Sequence, residues 1–414
     1  MKFVGIDWAT DLHDVVLEDE QGAVLDEWQI DHRPSGFAAL LARLAAEGGP
    51  GQVLVGLESG AFLLLGAIVG AGYQAYVLNP KQADRFRDRH SPAGAKDDRL
   101  DARVLADAVR TDRGRLRAFE PDSPLSQEIA LRDRERTRLV QIRAGMENQL
   151  RQALSEYFPA LTDLRRDMND PFLLGLLQFV RDPVRAKDVR LSSLERLIGE
   201  HRIRSLTALE LRGRLREPSF ALPNFILAAR RDGALRLARI IGEFNAQIAE
   251  AEDALDDLAK KHPDYELLKC LPGLGDRLVA RVVAELGDSR ARRADPSTVR
   301  AYAGTAPVTR RSGKRGRKGK ALVLMRRGCN RVLQSALYAM ARASVATSAW
   351  AKAYLDHSRA RGVPNGTAIR SLSNKWASIL CAVLRSREPY DEARHAADLA
   401  RCGAPWLKNA GAAA

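Results

Sequence analysis

Gln52-Val53-Leu54-Val55-Gly56-Leu57-Glu58 is a continuous apolar run that ends in a carboxylate. A run of this kind is typical of a strand that is buried on both faces of a sheet. A helical stretch at residues 61–71 and a second short apolar segment at residues 73–78 follow it. This alternation predicts strands joined by crossover helices, and therefore an α/β domain.

The segments that precede this run predict a meander. Residues 2–8, 14–17 and 22–29 are short, apolar or alternating, and separated by turn residues, as expected for consecutive strands. With a helix at residues 37–46, the predicted order is three strands, helix, strand, helix, strand, helix. Asp7 ends the first strand as Glu58 ends the fourth, and a carboxylate there is costly to leave unpaired. Either these two acids converge on a ligand at the strand ends, or each is a turn or cap residue.

Further carboxylates lie in Ala95-Lys96-Asp97-Asp98-Arg99-Leu100-Asp101-Ala102. If a helix starts here, Asp98 and Asp101 stand three apart and Asp97 and Asp101 four apart, so either pair shares a face. Clustered carboxylates without nearby thiolates suit Mg2+, which prefers oxygen ligands. The alternative is a solvated helix start, where acids favour the helix dipole and Arg99 or Arg103 neutralises them.

The composition indicates a protein that binds a polyanionic partner. Of 414 residues, 45 % are hydrophobic and 29 % charged, and the net charge is +14. This balance favours nucleic acid as the partner over a membrane surface. No run approaches the roughly 18 apolar residues of a membrane span, and the N-terminus leads directly into a strand, so we expect a cytoplasmic protein. The four cysteines and seven histidines show no metal-binding spacing, and we expect the cysteines to be ordinary buried residues and the histidines to be structural.

The middle of the chain is helical and strongly charged. Apolar residues recur at steps of three and four in two long stretches, which predicts two helices that pair within a protomer or between protomers. Residues 171–230, between them, predict short helices rich in arginine. The two apolar stripes are Leu139, Ile142, Met146, Leu150, Ala153 and Tyr157, and then Leu237, Ile241, Phe244, Ile248, Ala251, Leu255 and Leu258.

A glycine-rich turn opens the C-terminal part. Leu271-Pro272-Gly273-Leu274-Gly275 precedes a helical stretch at residues 276–286. The pattern is similar to a helix-hairpin-helix element, in which turn amides at Gly273 and Gly275 and a helix N-terminus contact a phosphate. A plain turn between two helices is the alternative.

A basic stretch follows. Residues 300–331 contain eleven Lys and Arg and no Asp or Glu, and run into an apolar segment predicted to be a helix at residues 322–346. We expect an ordered loop that faces phosphates. Ser312 lies within it, where arginines would stabilise charge on a reacting phosphate if a group activated the hydroxyl. The candidate nucleic-acid contacts here are Arg310, Arg311, Lys314, Arg315, Arg317, Lys318 and Lys320, together with Lys96.

Six short motifs occur in order along the chain: Gly5-Ile6-Asp7, Glu58 after a strand, Lys96-x-Asp98-x-x-Asp101-Ala102, Leu271-Pro272-Gly273-Leu274-Gly275, Tyr302-Ala303-Gly304-x-Ala306-Pro307, and Ser312-Gly313. Together they resemble the DEDD transposases of bacterial insertion sequences, in the insertion sequence 110 family, whose members act as RNA-guided recombinases. The resemblance spans most of the chain, and the ordered set is far more specific than any single motif.

The resemblance implies a RuvC-like domain of RNase H fold at residues 1–121 and a coiled-coil segment at 122–263. A C-terminal, mainly helical transposase domain at 264–386 and a tail at 387–414 would follow. By position, Asp7, Glu58, Asp98 and Asp101 would hold Mg2+ and Ser312 would be the nucleophile, forming a covalent phosphoserine. Implied partners are donor and target DNA, a bridging noncoding RNA made by the element, and further copies of the chain in dimers and tetramers, associated with the bacterial nucleoid.

Three positions depart from the family pattern. Asp97 stands where Thr or Asn is usual, so Asp97 competes with Asp98 as third ligand. Thr305 replaces a usual Leu, and Arg311 replaces the Gln that usually precedes the serine. The serine and the acids are about 200 residues apart, so we expect a composite site between protomers.

Three alternatives remain open from sequence. One is a Holliday-junction-resolvase-like Mg2+ endonuclease in which water is the nucleophile and Ser312 only contacts phosphate. Another is a noncatalytic nucleic-acid-binding scaffold whose acids cap helices. An actin-like ATPase is the third, because Gly5-Ile6-Asp7 also opens such folds, although the sequence shows no second phosphate loop.

Overall fold

The computed structural model of the chain describes residues 1–58, 62–90, 98–293, 295–310 and 322–406. It divides into two compact units, Met1–Pro121 and Asp122–Ala414. Nowhere in the described ranges is a helix both long and apolar enough to cross a bilayer.

The N-terminal unit is a five-stranded mixed sheet with helices on both faces. Its strand order is β3-β2-β1-β4-β5, with β1 to β3 forming an antiparallel meander and β4 and β5 added in parallel. The predicted α/β order of elements is therefore confirmed. The strands are β1 (Lys2–Asp7), β2 (Leu12–Glu18), β3 (Val24–Asp31), β4 (Val53–Glu58) and β5 (Gln74–Leu78), and the helices are α1 (Pro34–Glu47), α2 (Phe62–Gly70), α3 (Pro80–His90) and α4 (Asp98–Asp112).

Two glycines set the distance between α4 and the sheet. Gly5 on β1 and Gly56 on β4 are register partners. A Cβ atom at Gly5 would lie 1.9 Å from the Ala102 carbonyl oxygen, and one at Gly56 would lie 2.5 Å from the Leu105 carbonyl oxygen. Only glycine permits so close a backbone approach. Helix α4 therefore rests directly on the two central strands.

The direction of α4 follows from its contacts along β1. Phe3, near the start of β1, packs with Ala106 and Val109, whereas Gly5 meets Ala102, which lies earlier on the helix. The helix thus runs antiparallel to β1. Its N-terminal turn reaches the edge of the sheet where β1 and β4 end.

The C-terminal unit is organised by two long helices, α5 (Pro124–Tyr157) and α10 (Asn224–Ala259), which pair with each other within the chain. Ile241, Ile248 and Leu255 are buried, as the predicted stripe on α10 requires. The prediction that Ile142 belongs to the buried stripe of α5 is wrong, because this side chain is 40 % exposed. The helices meet there through polar side chains, because the neighbouring Arg143 donates a 2.8 Å hydrogen bond to the Asn245 amide oxygen of α10.

Four short helices lie between α5 and α10 in the sequence. They form a small apolar core with the C-terminal part of α5 and the N-terminal part of α10. The sequence predicted short helices here, and the structure confirms them. Side-chain caps start three of them, with Asp170, Asp182 and Thr207 accepting hydrogen bonds from first-turn amides. They are α6 (Pro171–Val180), α7 (Pro183–Lys187), α8 (Leu191–Glu200) and α9 (Ala208–Leu215), preceded by a 3-10 turn at Pro159–Leu161.

The remaining helices pack around the buried pair Trp350 and Trp376. Ile129 of α5 and Leu255 of α10 belong to the same core, which ties the long helices to this part of the unit. The predicted helix at residues 276–286 is confirmed. The expectation of buried cysteines holds for Cys381 but is wrong for Cys270 and Cys402, which are exposed. The helices are α11 (Tyr265–Lys269), α12 (Asp276–Leu286), α13 (Arg290–Arg293), α14 (Pro296–Tyr302), α15 (Arg331–Ser344), α16 (Ala349–Ala360), α17 (Asn365–Ser386) and α18 (Glu392–Arg401).

The predicted helix at residues 322–346 is wrong in its first part. β7 (Leu322–Met325) pairs antiparallel with β6 (Pro307–Arg310), and α15 begins only at Arg331. Apolar residues at the start of a helical run also suit a strand when a partner is available. Asn330 fixes the start of α15, since its side-chain oxygen accepts from the amides of Val332 and Leu333.

Candidate active site

A cleft of about 860 Å³ opens at the carboxyl ends of β1 and β4 in the N-terminal unit. Three of the four predicted acids, Asp7, Glu58 and Asp101, line it. Ligand sites in sheets of this kind gather at this edge. The other lining residues are Trp8, Ala9, Thr10, Asp11, Leu12, Asp14, Gln29, Asp84 and Arg87.

Asp7 and Glu58 are neighbours because of strand register. Ile6 pairs with Leu57 across the parallel β1–β4 ladder, so the next residue on each strand is also side by side, with backbones about 4.8 Å apart. Side chains alternate along a strand, so Asp7 lies on the face of Gly5, and Glu58 on the face of Gly56. Both carboxylates therefore lie on the face that α4 covers, and both are half-buried.

Asp101 reaches the cleft from the first turns of α4 and is 8 % exposed. The Arg87 guanidinium of α3 binds it, with Nε donating to Asp101 Oδ1 at 2.6 Å. The same guanidinium donates from Nη1 to Asp84 Oδ1 at 2.9 Å. The hydrogen bond to Asp101 raises the pKa of Arg87 above its ordinary value.

The fourth acid, Asp98, is the first residue of α4, but its side chain is not among those described. Its alternative, Asp97, and the predicted phosphate contact Lys96 lie outside the described residues. The backbone of α4 nevertheless places position 98 one turn before Asp101, on the same side of the helix.

The donors in the cleft suit a hard divalent cation, because six of the described lining residues offer carboxylate oxygens. Among the side chains that the structure describes, however, no group of three or more His, Cys, Asp or Glu is arranged to hold a metal ion. Arg87 also binds Asp101, with Nε 2.6 Å from Oδ1. The chemistry of the donor set fits Mg2+, and one of these acids is held in an ion pair with an arginine.

Four charged residues of the cleft were not predicted from the sequence: Asp11, Asp14, Asp84 and Arg87. Asp14 is the register partner of Asp7 on β2, and the Gln29 amide donates to its Oδ1 at 2.9 Å. Asp14 lies two residues before Val16 on a strand that pairs with β1. A carboxylate in an otherwise apolar strand next to β1 was therefore a signal that the sequence contained. Nothing in the sequence of α3 distinguishes Arg87 from its neighbouring arginines.

A buried histidine shapes the rim of the cleft. His13 is fully buried, and its Nδ1 accepts a 3.0 Å hydrogen bond from the Ala9 amide in the β1–β2 turn. Its Nε2 lies 2.9 Å from Nδ1 of His32. Burial, and then the His32 charge, lower the pKa of His13, which keeps the ring neutral and able to accept from Ala9. His13 is thus structural, as expected, and fixes the turn that follows Asp7.

The predicted nucleophile lies elsewhere in the chain. Ser312 and the basic residues Arg311, Lys314, Arg315, Arg317, Lys318 and Lys320 lie outside the described residues. Arg310 pairs with Leu322 in the β6–β7 ladder, but its side chain is not described. The structure therefore supplies the strands that flank this segment.

The motif at residues 302–307 supports the base of the β6–β7 hairpin. Gly304 has φ +65°, and a Cβ there would lie 2.4 Å from the Cys329 sulfur. The Asn330 amide nitrogen Nδ2 donates to the Tyr302 hydroxyl at 2.9 Å, and the Gln334 side chain donates to the Gly304 carbonyl at 3.0 Å. These contacts join the stretch before β6 to the stretch after β7.

The glycine-rich turn between α11 and α12 packs against α15. Gly273 has φ +86°, and a Cβ there would lie 2.4 Å from the Met340 carbonyl oxygen. Packing therefore accounts for this glycine. Gly275 is exposed at the N-cap of α12, where first-turn amides face outward. No atom lies within 4 Å of a Cβ added at Gly275, so packing does not account for this second glycine.

A second polar cluster, which we call the Asp264 network, consists of Ser126, His262, Asp264, Arg293 and Arg387. Ser126 Oγ lies 2.9 Å from His262 Nε2, a spacing found in serine hydrolases. However, His262 Nδ1 accepts from the Asp264 amide at 3.1 Å, so the ring proton is on Nε2 and points to the serine. Ser126 is also only 2 % exposed. The pair has the wrong tautomer and no access for a substrate, so it is structural.

Comparisons with known proteins extend over both units. Residues 4–159 match the IS110 DEDD model, described as a transposase, and residues 265–356 match a model described as a transposase of the IS116/IS110/IS902 family. The chain is 32 % identical over 415 residues to a Streptomyces coelicolor protein described as a candidate transposase of the mini-circle IS117, covering 97 % of this chain and 98 % of that protein.

Two further relatives also span most of the chain. A 43.6 kDa protein of insertion element IS110 from Streptomyces coelicolor is 26 % identical, covering 89 % of this chain and 90 % of that protein. The transposase for insertion sequence element IS1111A of Coxiella burnetii is 25 % identical, covering 98 % of this chain and 92 % of that protein. The family resemblance drawn from the six sequence motifs is confirmed. The chain belongs to the IS110 family of insertion-sequence transposases, enzymes that act on DNA.

Proposed function

We propose that this transposase cuts and rejoins DNA strands through a covalent phosphoserine, with Mg2+ held by Asp7, Glu58, Asp98 and Asp101 in an RNase H-like, RuvC-like domain. The observation that carries the proposal is the convergence of Asp7, Glu58 and Asp101 on one cleft in a chain of this family. The strand order β3-β2-β1-β4-β5 supports the RNase H-like assignment. When bound, Mg2+ would stabilise negative charge on the departing oxygen.

The chain's own groups have distinct tasks in this scheme. Ser312 Oγ forms a bond to phosphorus as the phosphodiester P–O bond breaks, and the released DNA oxygen becomes a hydroxyl. A hydroxyl of the partner strand then attacks the phosphoserine, which restores the serine and joins the strands. The acids bind and orient the cation, while the basic residues around Ser312 neutralise phosphate charge.

The proposed partners follow from family membership and charge. Donor and target DNA are held mainly through their backbones, and a bridging noncoding RNA supplies sequence recognition by base pairing. The net charge of +14 supports the binding of such polyanions. Assembly as dimers and tetramers on DNA is part of the same proposal.

The nucleophile is tested by trapping covalent adducts. Ser312→Ala is expected to abolish protein–DNA adducts in the presence of Mg2+, whereas Ser371→Ala, an exposed serine of α17, leaves them intact. Adducts that persist in Ser312→Ala would remove the serine from the mechanism. DNA cleavage by the unmodified chain with no adduct at any time would favour the resolvase-like enzyme that uses water.

The basic loop is tested by the salt dependence of DNA binding. If about six of its cations contact phosphates, the logarithm of affinity should fall against the logarithm of salt concentration with a slope of roughly −5. Replacing Lys314, Arg315 and Arg317 together by alanine should reduce that slope by about 3. An unchanged slope would place the phosphate contacts elsewhere.

A further inference from the structure

Arg87 is the only basic side chain among the described residues that line the acidic cleft. It lies on α3 and bridges Asp101 of α4 to Asp84 of its own helix. The Asp101 side chain is 10 % exposed, the Arg87 side chain 24 % and the Asp84 side chain 64 %. The guanidinium is therefore held between a buried acid and an exposed one.

The buried acid needs a positive partner in the metal-free protein. A carboxylate as deeply buried as Asp101 is costly to leave ionised without a counter-charge. Arg87 provides that charge at 2.6 Å from Oδ1, the distance of a strong charge-assisted hydrogen bond. A divalent cation bound to Asp101 would neutralise the same carboxylate, at about 2.0–2.1 Å from one of its oxygens. Arg87 binds Oδ1 and leaves Oδ2 open, but a cation on either oxygen of this carboxylate would lie close to the guanidinium, and the two positive charges would repel each other strongly.

We propose that Arg87 is an exchangeable counter-cation: it neutralises Asp101 in the metal-free chain and must leave that carboxylate before Mg2+ completes its site. The inference rests on the proposed function, because it assumes that Asp101 is a metal ligand. Asp84 provides the means of exchange. Because it binds a separate nitrogen of the guanidinium at 2.9 Å, it retains Arg87 in the cleft after Asp101 has been released.

The exchange has a measurable cost for metal binding. Mg2+ must displace a charge-assisted ion pair as it binds, so its affinity is lower than the carboxylates alone would give. Removing the guanidinium should therefore tighten Mg2+ binding. We expect Arg87→Gln to lower the dissociation constant for Mg2+ by about tenfold, which corresponds to 1.4 kcal/mol.

The experiment is a calorimetric titration of Mg2+ into the full chain without nucleic acid. Arg89→Gln is the matched control, since Arg89 lies on the same helix but pairs with Asp112, at 3.4 Å, and is 56 % exposed. It should bind Mg2+ as the unmodified chain does. Arg87→Lys retains the charge but not the two-pronged geometry, and is expected to give an intermediate affinity. This variant keeps the test decisive if Arg87→Gln fails to fold.

The outcomes separate this inference from the proposed function. Tighter binding in Arg87→Gln, with Arg89→Gln unchanged, supports the exchange. Equal affinity in the unmodified chain and in Arg87→Gln overturns the exchange while the metal site stands. If neither chain binds Mg2+, and Asp101→Asn changes nothing, the metal site and the exchange are both overturned.

Discussion

The acidic cleft of the N-terminal unit and the Asp264 network of the C-terminal unit both bury carboxylates, yet their charges are balanced differently. In the network, Asp264 is 3 % exposed and binds both Arg293 and Arg387. In the cleft, six carboxylates and one arginine occur among the described lining residues. A polar cluster closed around its own ion pairs serves the fold, whereas acids gathered at the carboxyl edge of a sheet, where ligands commonly bind, suit a functional site.

The comparison also separates geometry from chemistry. The Ser126–His262 pair has the spacing of a catalytic pair but is closed to solvent and has its proton on the serine side. The cleft has no such familiar spacing in the sequence, because its acids come from three separate segments. Charge balance and access therefore distinguish the two clusters better than distance does.

The largest effect is expected from a substitution of one acid in the cleft. Asp7→Asn should lower the rate of Mg2+-dependent strand transfer by about 10³-fold, because a metal contributes several kcal/mol to such a step and 1.36 kcal/mol is tenfold. The free energy of unfolding should not fall. The measurement is a strand-transfer assay beside urea unfolding, with Asp88→Asn on α3 as an exposed-carboxylate control. A fully active Asp7→Asn would take Asp7 out of the site.

The same exchange in the Asp264 network should act on stability. Asp264→Asn leaves Arg293 and Arg387 without their shared buried partner, and we expect the free energy of unfolding to fall by about 3–5 kcal/mol. Urea unfolding at pH 7 measures this change. Loss of strand transfer from a fully folded Asp264→Asn chain would contradict the distinction between the two clusters.

The pH dependence of that effect has a definite sign. Burial acts to raise the pKa of the Asp264 carboxyl, but hydrogen bonds and charge from Arg293, together with Arg387, outweigh it and hold the pKa below its ordinary value. The stabilisation is therefore present above the ordinary Asp pKa and is lost as the pH falls through the lower, folded value. The difference in stability between the unmodified chain and Asp264→Asn should shrink on acidification.

A smaller effect is expected where α4 meets the sheet. Gly5→Ala places a methyl group against the Ala102 carbonyl, and we expect a loss of about 1–3 kcal/mol from overpacking. Gly66→Ala on α2 is the matched control, because no atom lies within 4 Å of its added Cβ and alanine favours a helix by about 1 kcal/mol. Thermal unfolding compares the two. Equal stability of both variants would mean that α4 shifts freely on the sheet.

The smallest expected effect concerns Glu18, a buried acid on β2. Burial, and then the Asp107 charge, raise the pKa of Glu18 to about 7. Folding therefore favours the protonated acid, and stability falls as the pH rises from the unfolded pKa near 4.5 towards 7. Glu18→Gln should be more stable than the unmodified chain at pH 8 by roughly 1 kcal/mol, after allowance for the lost contacts with Arg103 and Arg110, and should show no such gain at pH 5.

The Glu18 measurement is urea unfolding at the two pH values. Glu27→Gln, on the exposed side of β3, provides the reference and should show no difference of this kind. A gain in Glu18→Gln that is the same at pH 5 and pH 8 would show that the charge of Glu18 is not its cause.

The sequence predicted most of the N-terminal fold because its signals are local. Apolar runs, turn residues and a carboxylate after each central strand are enough to locate β1, β4, Asp7 and Glu58. The position of Asp101 also followed, from helical spacing. Arg87 did not, because α3 contains several arginines and only packing decides which of them faces α4.

The β6–β7 hairpin was missed for a related reason. Leu322–Met325 has a strand's composition but adjoins a helical run, and its partner Pro307–Arg310 lies beyond a basic segment. Pairing between strands separated in this way depends on contacts that no local pattern records. The same limit applies to Ile142, whose exposure follows from a polar contact of its neighbour Arg143 with α10.

The paired glycines under α4 bring the main chain of the helix into direct contact with the main chain of the sheet. Main chains cannot repack as side chains do, so the distance between helix and sheet is fixed. Lengthening Asp7 to glutamate, or shortening Glu58 to aspartate, shifts a carboxylate by about 1.5 Å within that frame. That step exceeds the difference of roughly 0.4 Å between typical calcium–oxygen and magnesium–oxygen distances. In the proposed Mg2+ site, either change would therefore displace one ligand by more than the ion can accommodate, and we expect it to weaken Mg2+ binding.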